Sequence, residues 1–545
     1  SSDVCSSDLD ELYFSSKPEA QNPEHLIATG YFRAGIYEYN NRDVRGQWQR
    51  ILEDITDTSA DVFLGVGLQC ARCHDHKFDP LLQKDYYRFQ AFFAPLLPRE
   101  DLVVATPTEK AAYAEKLAKW ETATAELRAE LDKLLAQARK SAEASAFEKF
   151  IEDLRVDLRT PVAERTPYQH QVAELAYRQV VYELDRVDSR LNGDAKERVI
   201  ALRKKLTEFD SLKPASLPPF FSATDVGPKA PETFLRRGKT QEAIAPGYLS
   251  VLDEQPAQIA GLPNSTGRRT ALANWLTAPS NPLTARVLAN RIWQQHFAEG
   301  LVATPNDFGL AGARPTHPEL LDWLAGELIR GGWSVKHLHR VIVTSAAYRA
   351  AAGKSTAAFT RTPRRLSAEQ LRDALLSVSG LLTAKDSGPP IWPELPVEVL
   401  QANPAFLDDN AEKTKGWYPS PKAEQFARGI FLVQKRTVKV PFMETFDLPD
   451  NAVSCARRDQ SIVAPQALTL LNGPLTIEAA KALAQRIQRE AGDAPDAQVP
   501  RAFRLTLQRS PAPDEALACR KLLQQRSLPE LCRALLNLNE FLYLD

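Results

Sequence analysis

Residues 113–134 read YAEKLAKWETATAELRAELDKL, and Tyr113, Leu117, Trp120, Thr124, Leu127, Leu131 and Leu134 fall at alternating spacings of four and three. That is a heptad seam with one polar member, and it predicts a helix whose apolar edge packs on another helix. The spacing places the N-cap at Thr108. Tyr177, Val180, Leu184, Val187 and Leu191 repeat the pattern, Asn192-Gly193-Asp194 interrupts it, and Val199, Leu202, Leu206 and Phe209 resume it. An antiparallel helical hairpin inserted over 106–210 follows, acting as a spacer or contact arm.

Outward from the hairpin the same periodicity holds. Residues 10–105 contain a helix at 48–58 and a second at 85–93, whose Tyr, Phe and Phe-Phe positions form an aromatic stripe best assigned to a core. Residues 211–262 are rich in Pro and short apolar runs, which predicts a linker of a few strands and turns. From 263 to 545 helical patterns recur at 269–276, 284–297, 317–330, 335–348, 365–382, 462–471, 474–491, 498–508, 513–525 and 528–541, with a loop-like stretch at 387–420. The fold class is therefore mainly α: a multi-domain helical protein with a long antiparallel helical hairpin insertion and a few short β-strands.

The chain has 545 residues, enough for several domains and for a core that needs no disulfides. A net charge of −1 removes the electrostatic case for nucleic acid or an anionic membrane surface. No apolar run is long enough to span a bilayer. Residues 1–9 resemble a translated sequencing adapter and are set aside, which makes the chain a fragment truncated at its start. Cys519 and Cys532 could pair in an oxidising compartment or stay as two buried free thiols.

The strongest chemical signal precedes the hairpin. The run 63–80, FLGVGLQCARCHDHKFDP, contains Cys70-Ala71-Arg72-Cys73-His74. Cys-x-x-Cys-His is the attachment signature of c-type haem: two thiols bind one porphyrin covalently and the adjacent imidazole ligates its iron. Met443, the single methionine, and His317, His337 and His339 are the available distal ligands. A metal site competes. Cys70, Cys73, His76 and Asp79 recur every three residues, with His74 able to replace His76, and such a loop could hold zinc or another divalent metal. A Cys70–Cys73 disulfide or a pair of free thiols ranks behind both. The polar knot from His74 to Asp79, next to an apolar run, marks a site whichever group it holds.

The motif with Asp75-His-Lys-Phe-Asp-Pro80 and Asp85-Tyr-Tyr87 resembles the planctomycete PSCyt-type domain. Trp275-Leu-Thr, Asn281-Pro-Leu-Thr-Ala-Arg286, Asn290-Arg-Ile-Trp293, His296-Phe297, Asn306-Asp-Phe-Gly309, Thr316-His-Pro-Glu319, Arg372-Asp373 and Ala464-Pro-Gln-Ala-Leu468 resemble the PSD-type domain that usually follows it. The resemblance implies a periplasmic or secreted, cytochrome-like protein; the biochemical function of both domains is unknown.

A second constellation lies in the later region. Asn290, Arg291, His296, Asp307, His317, Glu319 and Asp322 offer acid–base ingredients, and His296, Asp307, His317 and Glu319 are the candidate catalytic residues. Trp293, Trp323 and Trp333 could stack on sugar rings. The plainer reading makes Arg286, Arg291 and Asp307 a buried ion-pair network, the Trp residues core, and Arg364-Arg365 and Arg457-Arg458-Asp459 solvated or ion-paired surface. The leading expectation is an extracytoplasmic c-type-cytochrome-like protein with a redox partner. The alternatives are a hydrolase or lyase acting on extracellular polysaccharide, or a cell-envelope scaffold with a structural metal.

Overall fold

A computed structural model of the chain describes residues 11, 23–38, 40–217, 219–350, 363–403 and 416–544. The adapter-like residues 1–9 and part of the loop expected at 387–420 lie outside the described residues. The chain divides into two compact units, Ser1–Val341 and Ile342–Asp545, and it is mainly α, as the patterning predicts.

The first unit opens with helices α1 (Pro23–Ala28), α2 (Val44–Ser59) and α3 (Gln83–Gln90). The Asp43 side chain accepts the Gly46 amide and starts α2. Val44, Trp48, Leu52 and Ile55 then bury one face at spacings of four and three. Tyr86, Phe89, Phe92 and Phe93 are fully buried, so the aromatic stripe is core.

Strand β1 (Leu96–Val103) pairs antiparallel with β2 (Pro219–Asp225), so the chain enters and leaves the insertion side by side. The insertion contains α4 (Pro107–Ala123), α5 (Ala125–Phe147), α6 (Glu152–Arg159), α7 (Pro167–Asp185) and α8 (Gly193–Thr207). It differs from the expected hairpin in three ways. The cap of α4 is Thr106, in a reciprocal box with Glu109, and Pro107 occupies the first turn where its missing N–H costs nothing. Helix α4 buries no residue, so the first half of the heptad seam does not pack as a seam. Helix α5 packs against both α7 and α8, and Leu131, Leu135, Val187, Leu191, Val199 and Leu202 form a small bundle core. At its base, Phe150, Leu154, Val172, Ala176 and Val180 merge with the core built on Trp48 and Phe89.

Strands β3 (Thr233–Arg237) and β4 (Thr240–Ile244) pair as a hairpin in the Pro-rich stretch, where a few strands and turns are expected. Helices α9 (Arg268–Thr277), α10 (Thr284–Phe297), α11 (Pro318–Arg330) and α12 (Val335–Thr344) follow at the predicted places. A fully buried ion node ties the unit together. Arg269 donates to Asp225 Oδ1 at 2.7 Å, Ser265 and Thr266 donate to Asp225 Oδ2, and Glu11 accepts from Ser265 and Thr270. Burial alone would raise the Asp225 carboxyl; Arg269 and the Thr266 donors outweigh it and hold it below the ordinary range.

The second unit is a helical array of α13 (Ala368–Ser379), α14 (Pro441–Thr445), α15 (Ala464–Asn472), α16 (Pro474–Ala491), α17 (Pro495–Thr506), α18 (Pro513–Gln525) and α19 (Leu528–Leu536). Its core includes Leu371, Met443, Phe446, Leu483, Phe503 and Cys532. Cys519 and Cys532 are both free thiols, so the suggested pairing does not form, and burial pushes the Cys532 thiol up to about 12. Arg365 is also not the surface residue expected: it is 4 % exposed and reaches Asp447 and the Ser461 carbonyl. Arg458 does pair at the surface, with Glu369 at 2.6 Å. Among the described residues, no helix is long and apolar enough to cross a membrane.

Candidate functional site

The Cys-x-x-Cys-His motif sits on a turn whose orientation is set by its apolar members. After α2, residues Ala60–Leu64 form one widened turn that ends at Gly65 in the left-handed region, φ 61°. A 3₁₀ turn, Leu68–Arg72, follows. Leu68 and Ala71 are fully buried, which turns Cys70, Cys73 and His74 out to solvent. Both thiols are free.

The backbone of the turn is fastened from behind. Gln83 Nε2 donates to the carbonyls of Arg72 (3.2 Å) and Cys73 (2.9 Å), and the Tyr87 hydroxyl donates to the Arg72 carbonyl at 3.2 Å. Asp75 Oδ1 accepts the Gln83 amide at 2.8 Å and so links the motif to the first turn of α3.

The two histidines next to the motif have different roles. His74 Nδ1 lies 2.7 Å from the Asp75 carbonyl oxygen. A carbonyl only accepts, so Nδ1 carries the proton and the neutral ring keeps its lone pair on Nε2, the arrangement typical of a ligating histidine. His76 Nδ1 instead accepts the amides of Asp79 (2.9 Å) and Phe78 (3.3 Å). Its 3.3 Å approach to Asp79 Oδ2 is therefore not an ion pair, because an unprotonated Nδ1 carries no charge. Asp79 Oδ1 accepts the Leu310 amide at 2.6 Å. The metal set proposed from spacing is thus divided: Cys70 and Cys73 face solvent, while His76 and Asp79 build the following turn. Among the described residues, no three His, Cys, Asp or Glu side chains are gathered to hold a metal ion.

Beneath the motif lies a carboxylate row that the sequence reading passed over. Glu53 and Asp57 lie four residues apart on one face of α2, and Asp61 follows four residues on in the widened turn. Arg72, one of the two residues between the cysteines, turns back to Glu53 (2.9 Å) and Asp57 (3.9 Å). Burial raises the Asp57 carboxyl to about 6, against the pull of Arg72. Burial and then the Asp57 charge raise Asp61 to about 7, against Arg291. Tyr86 Oη and Asp57 Oδ1 are buried, and neither makes a hydrogen bond of good geometry, although they interact electrostatically. The signal available in sequence was the i, i+4, i+8 spacing of acids on a helix running straight into the motif.

The second constellation is dispersed. Asn290 is fully buried and bonds both polar groups of Val302. Arg286 pairs with Asp322 at the surface, and Asp307 accepts the Gly309 amide within its own loop, so neither joins a buried network. Arg291 is half-buried, donating to the Asp61 carbonyl (3.0 Å) and Asn306 Oδ1 (2.6 Å). His296 Nε2 meets His339 Nδ1 at 2.7 Å. His317 contacts Thr316 at the start of α11, with Glu319 exposed in its first turn. His337 reaches Glu327 at 3.2 Å. Trp293 is core, stacked on Phe297, whereas Trp323 is half exposed. Met443, the only thioether, is fully buried in the core of the second unit.

A Cys-x-x-Cys-His domain followed, after a helical insertion, by a helical region defines the class: a PSCyt-type domain with a PSD-type domain after it. Residues 10–97 match PSCyt2, a protein of unknown function (DUF1549), and residues 268–523 match PSD1, a protein of unknown function (DUF1553). No curated protein and no solved structure matches the chain. The PSD1 match crosses the division at 341/342, so its first part folds in the same unit as the PSCyt2 match.

Proposed function

We propose that the chain is an extracytoplasmic, c-type-cytochrome-like protein that would hold haem through Cys70 and Cys73, with His74 as a ligand to its iron and a redox partner as its client. The observation that supports this reading best is the fixed tautomer of His74: its Nδ1–H is committed to Asp75, and Nε2 is left as the donor atom. Two unpaired, outward-facing thiols three residues apart are the other requirement. Cys70 and Cys73 would hold the group through their two sulfurs. When bound, the group supplies one-electron chemistry.

The chain's own residues supply the rest. Gln83, Tyr87 and Asp75 hold the turn that carries both sulfurs and the imidazole. Phe78, Leu82 and Leu310, 60 %, 45 % and 78 % exposed, flank the motif with apolar surface suited to a porphyrin edge or a partner. The divalent-metal alternative draws less support, because His76 and Asp79 already satisfy backbone donors.

The reading is tested by producing the protein in a periplasm equipped for haem maturation and recording a pyridine haemochrome. A covalent haem signal is expected in the parent and lost in Cys70→Ser and Cys73→Ser. His74→Ala is expected to keep the thioethers and alter the Soret band. A folded parent with no covalent haem overturns the proposal.

A further inference from the structure

We infer that the loop at 304–313, which lies within the PSD1 match, is a working wall of the motif's site, positioning the turn and lending Leu310 to whatever the motif holds. The identity of that group rests on the function proposed above; the positioning does not.

The loop touches the residues that bracket the motif on both sides. Upstream, the Phe308 amide donates to the Gly65 carbonyl at 2.7 Å. A Cβ on Gly65 would meet Phe308 Cδ2 and Val287 Cγ2 at 2.9 Å, so the approach requires glycine for space as well as for its positive φ. Downstream, the Leu310 amide donates to Asp79 Oδ1, and a Cβ on Gly309 would come within 2.5 Å of the same oxygen. Underneath, Arg291 bridges the Asp61 carbonyl and Asn306, and Asn306 Nδ2 faces Asp61 Oδ2 at 3.4 Å. The loop is itself cross-braced. Thr304 Oγ1 donates to the Asp307 carbonyl and accepts the Ala313 amide, while Asp307 Oδ1 accepts the Gly309 amide.

The residues that bracket Cys70–His74 are thus held by a segment more than two hundred positions later in the chain. Leu310 is left 78 % exposed on the loop that this pinning brings to the motif. Leu310 thus adds apolar surface beside the residues that bracket the motif. Asp79 is a positioning residue and Leu310 a contact residue.

The test uses the full chain. In haem-free protein, Asp79→Ala is expected to speed hydrogen exchange at the His76 and Leu81 amides about tenfold, the opening that follows from losing one charge-assisted hydrogen bond. Asp79→Asn keeps an acceptor for Leu310 and is expected to exchange within about threefold of the parent. Gly309→Ala should behave as Asp79→Ala does. In haem-loaded protein, Leu310→Gln should leave the thermal midpoint unchanged and lower the reduction potential, because a more polar edge favours the oxidised charge. Unchanged exchange in Asp79→Ala, or a rise spread equally over α2 and α3, overturns the positioning role. An unmoved potential in Leu310→Gln overturns the wall. If the parent carries no haem, the proposed function and the wall fall together, and the exchange data still decide the positioning role.

Discussion

Asp61 is a carboxyl raised to about 7 by burial and by Asp57, with Arg291 only partly offsetting them. A folded state that binds a proton more tightly than the unfolded chain gains stability at low pH. That contribution is complete below the ordinary carboxyl value of 3.8 and is lost as pH rises through about 7. Asp61→Asn, which never ionises, is therefore expected to match the parent at pH 4 and to exceed it at pH 8, by on the order of 1 kcal/mol for a partly solvated group. Urea unfolding at the two pH values checks this, and a parent more stable than the variant at pH 8 would contradict the assignment. An acid kept at such a cost beside a motif is the kind of residue that function retains. At this scale the sequence was only partly legible. Cys70, Cys73 and His74 could be named from spacing alone. The separation of His74 from His76 could not, because it depends on which ring nitrogen a backbone group happens to meet.

Helices were the most legible elements, since an amphipathic period is local: α9 to α12 begin and end close to where the apolar positions place them. Cap chemistry was read less well. Thr106 owes its role to Glu109 three residues on, and Thr106→Ala is expected to cost about 1 kcal/mol in the helix it starts, α4, visible as faster exchange in its first turn only. The heptad seam misled because a repeat specifies that an edge is apolar, not which partner covers it. Elements held by buried charge respond more sharply. Arg269 joins α9 to β2 and to Glu11, and it is fully buried with both acids. Arg269→Ala strands those carboxylates and is expected to cost about 3–5 kcal/mol. Exchange should accelerate in β1–β2 and α9 together; an effect confined to α9 would show that the node does not couple them.

Across the whole molecule, what the sequence concealed is how the two family matches share one structure. The 304–313 loop and the Cys-x-x-Cys-His turn are brought together by contacts spanning the entire insertion, and no periodicity encodes a contact at that range. The consequence is a unit in which the first part of the PSD1 match completes the surroundings of the PSCyt2 motif. Trp48, 2 % exposed at the centre of that unit's core, gives a measure of its cohesion. Trp48→Ala is expected to cost about 3–5 kcal/mol and to lower the thermal midpoint of the whole first unit in one transition. The central claim, that Cys70 and Cys73 carry a haem, is tested most directly by the intact mass of the denatured protein purified from a haem-maturing periplasm. The account predicts a mass increase of one haem per chain that disappears in the Cys70→Ser, Cys73→Ser double variant; a parent at the bare polypeptide mass would contradict it.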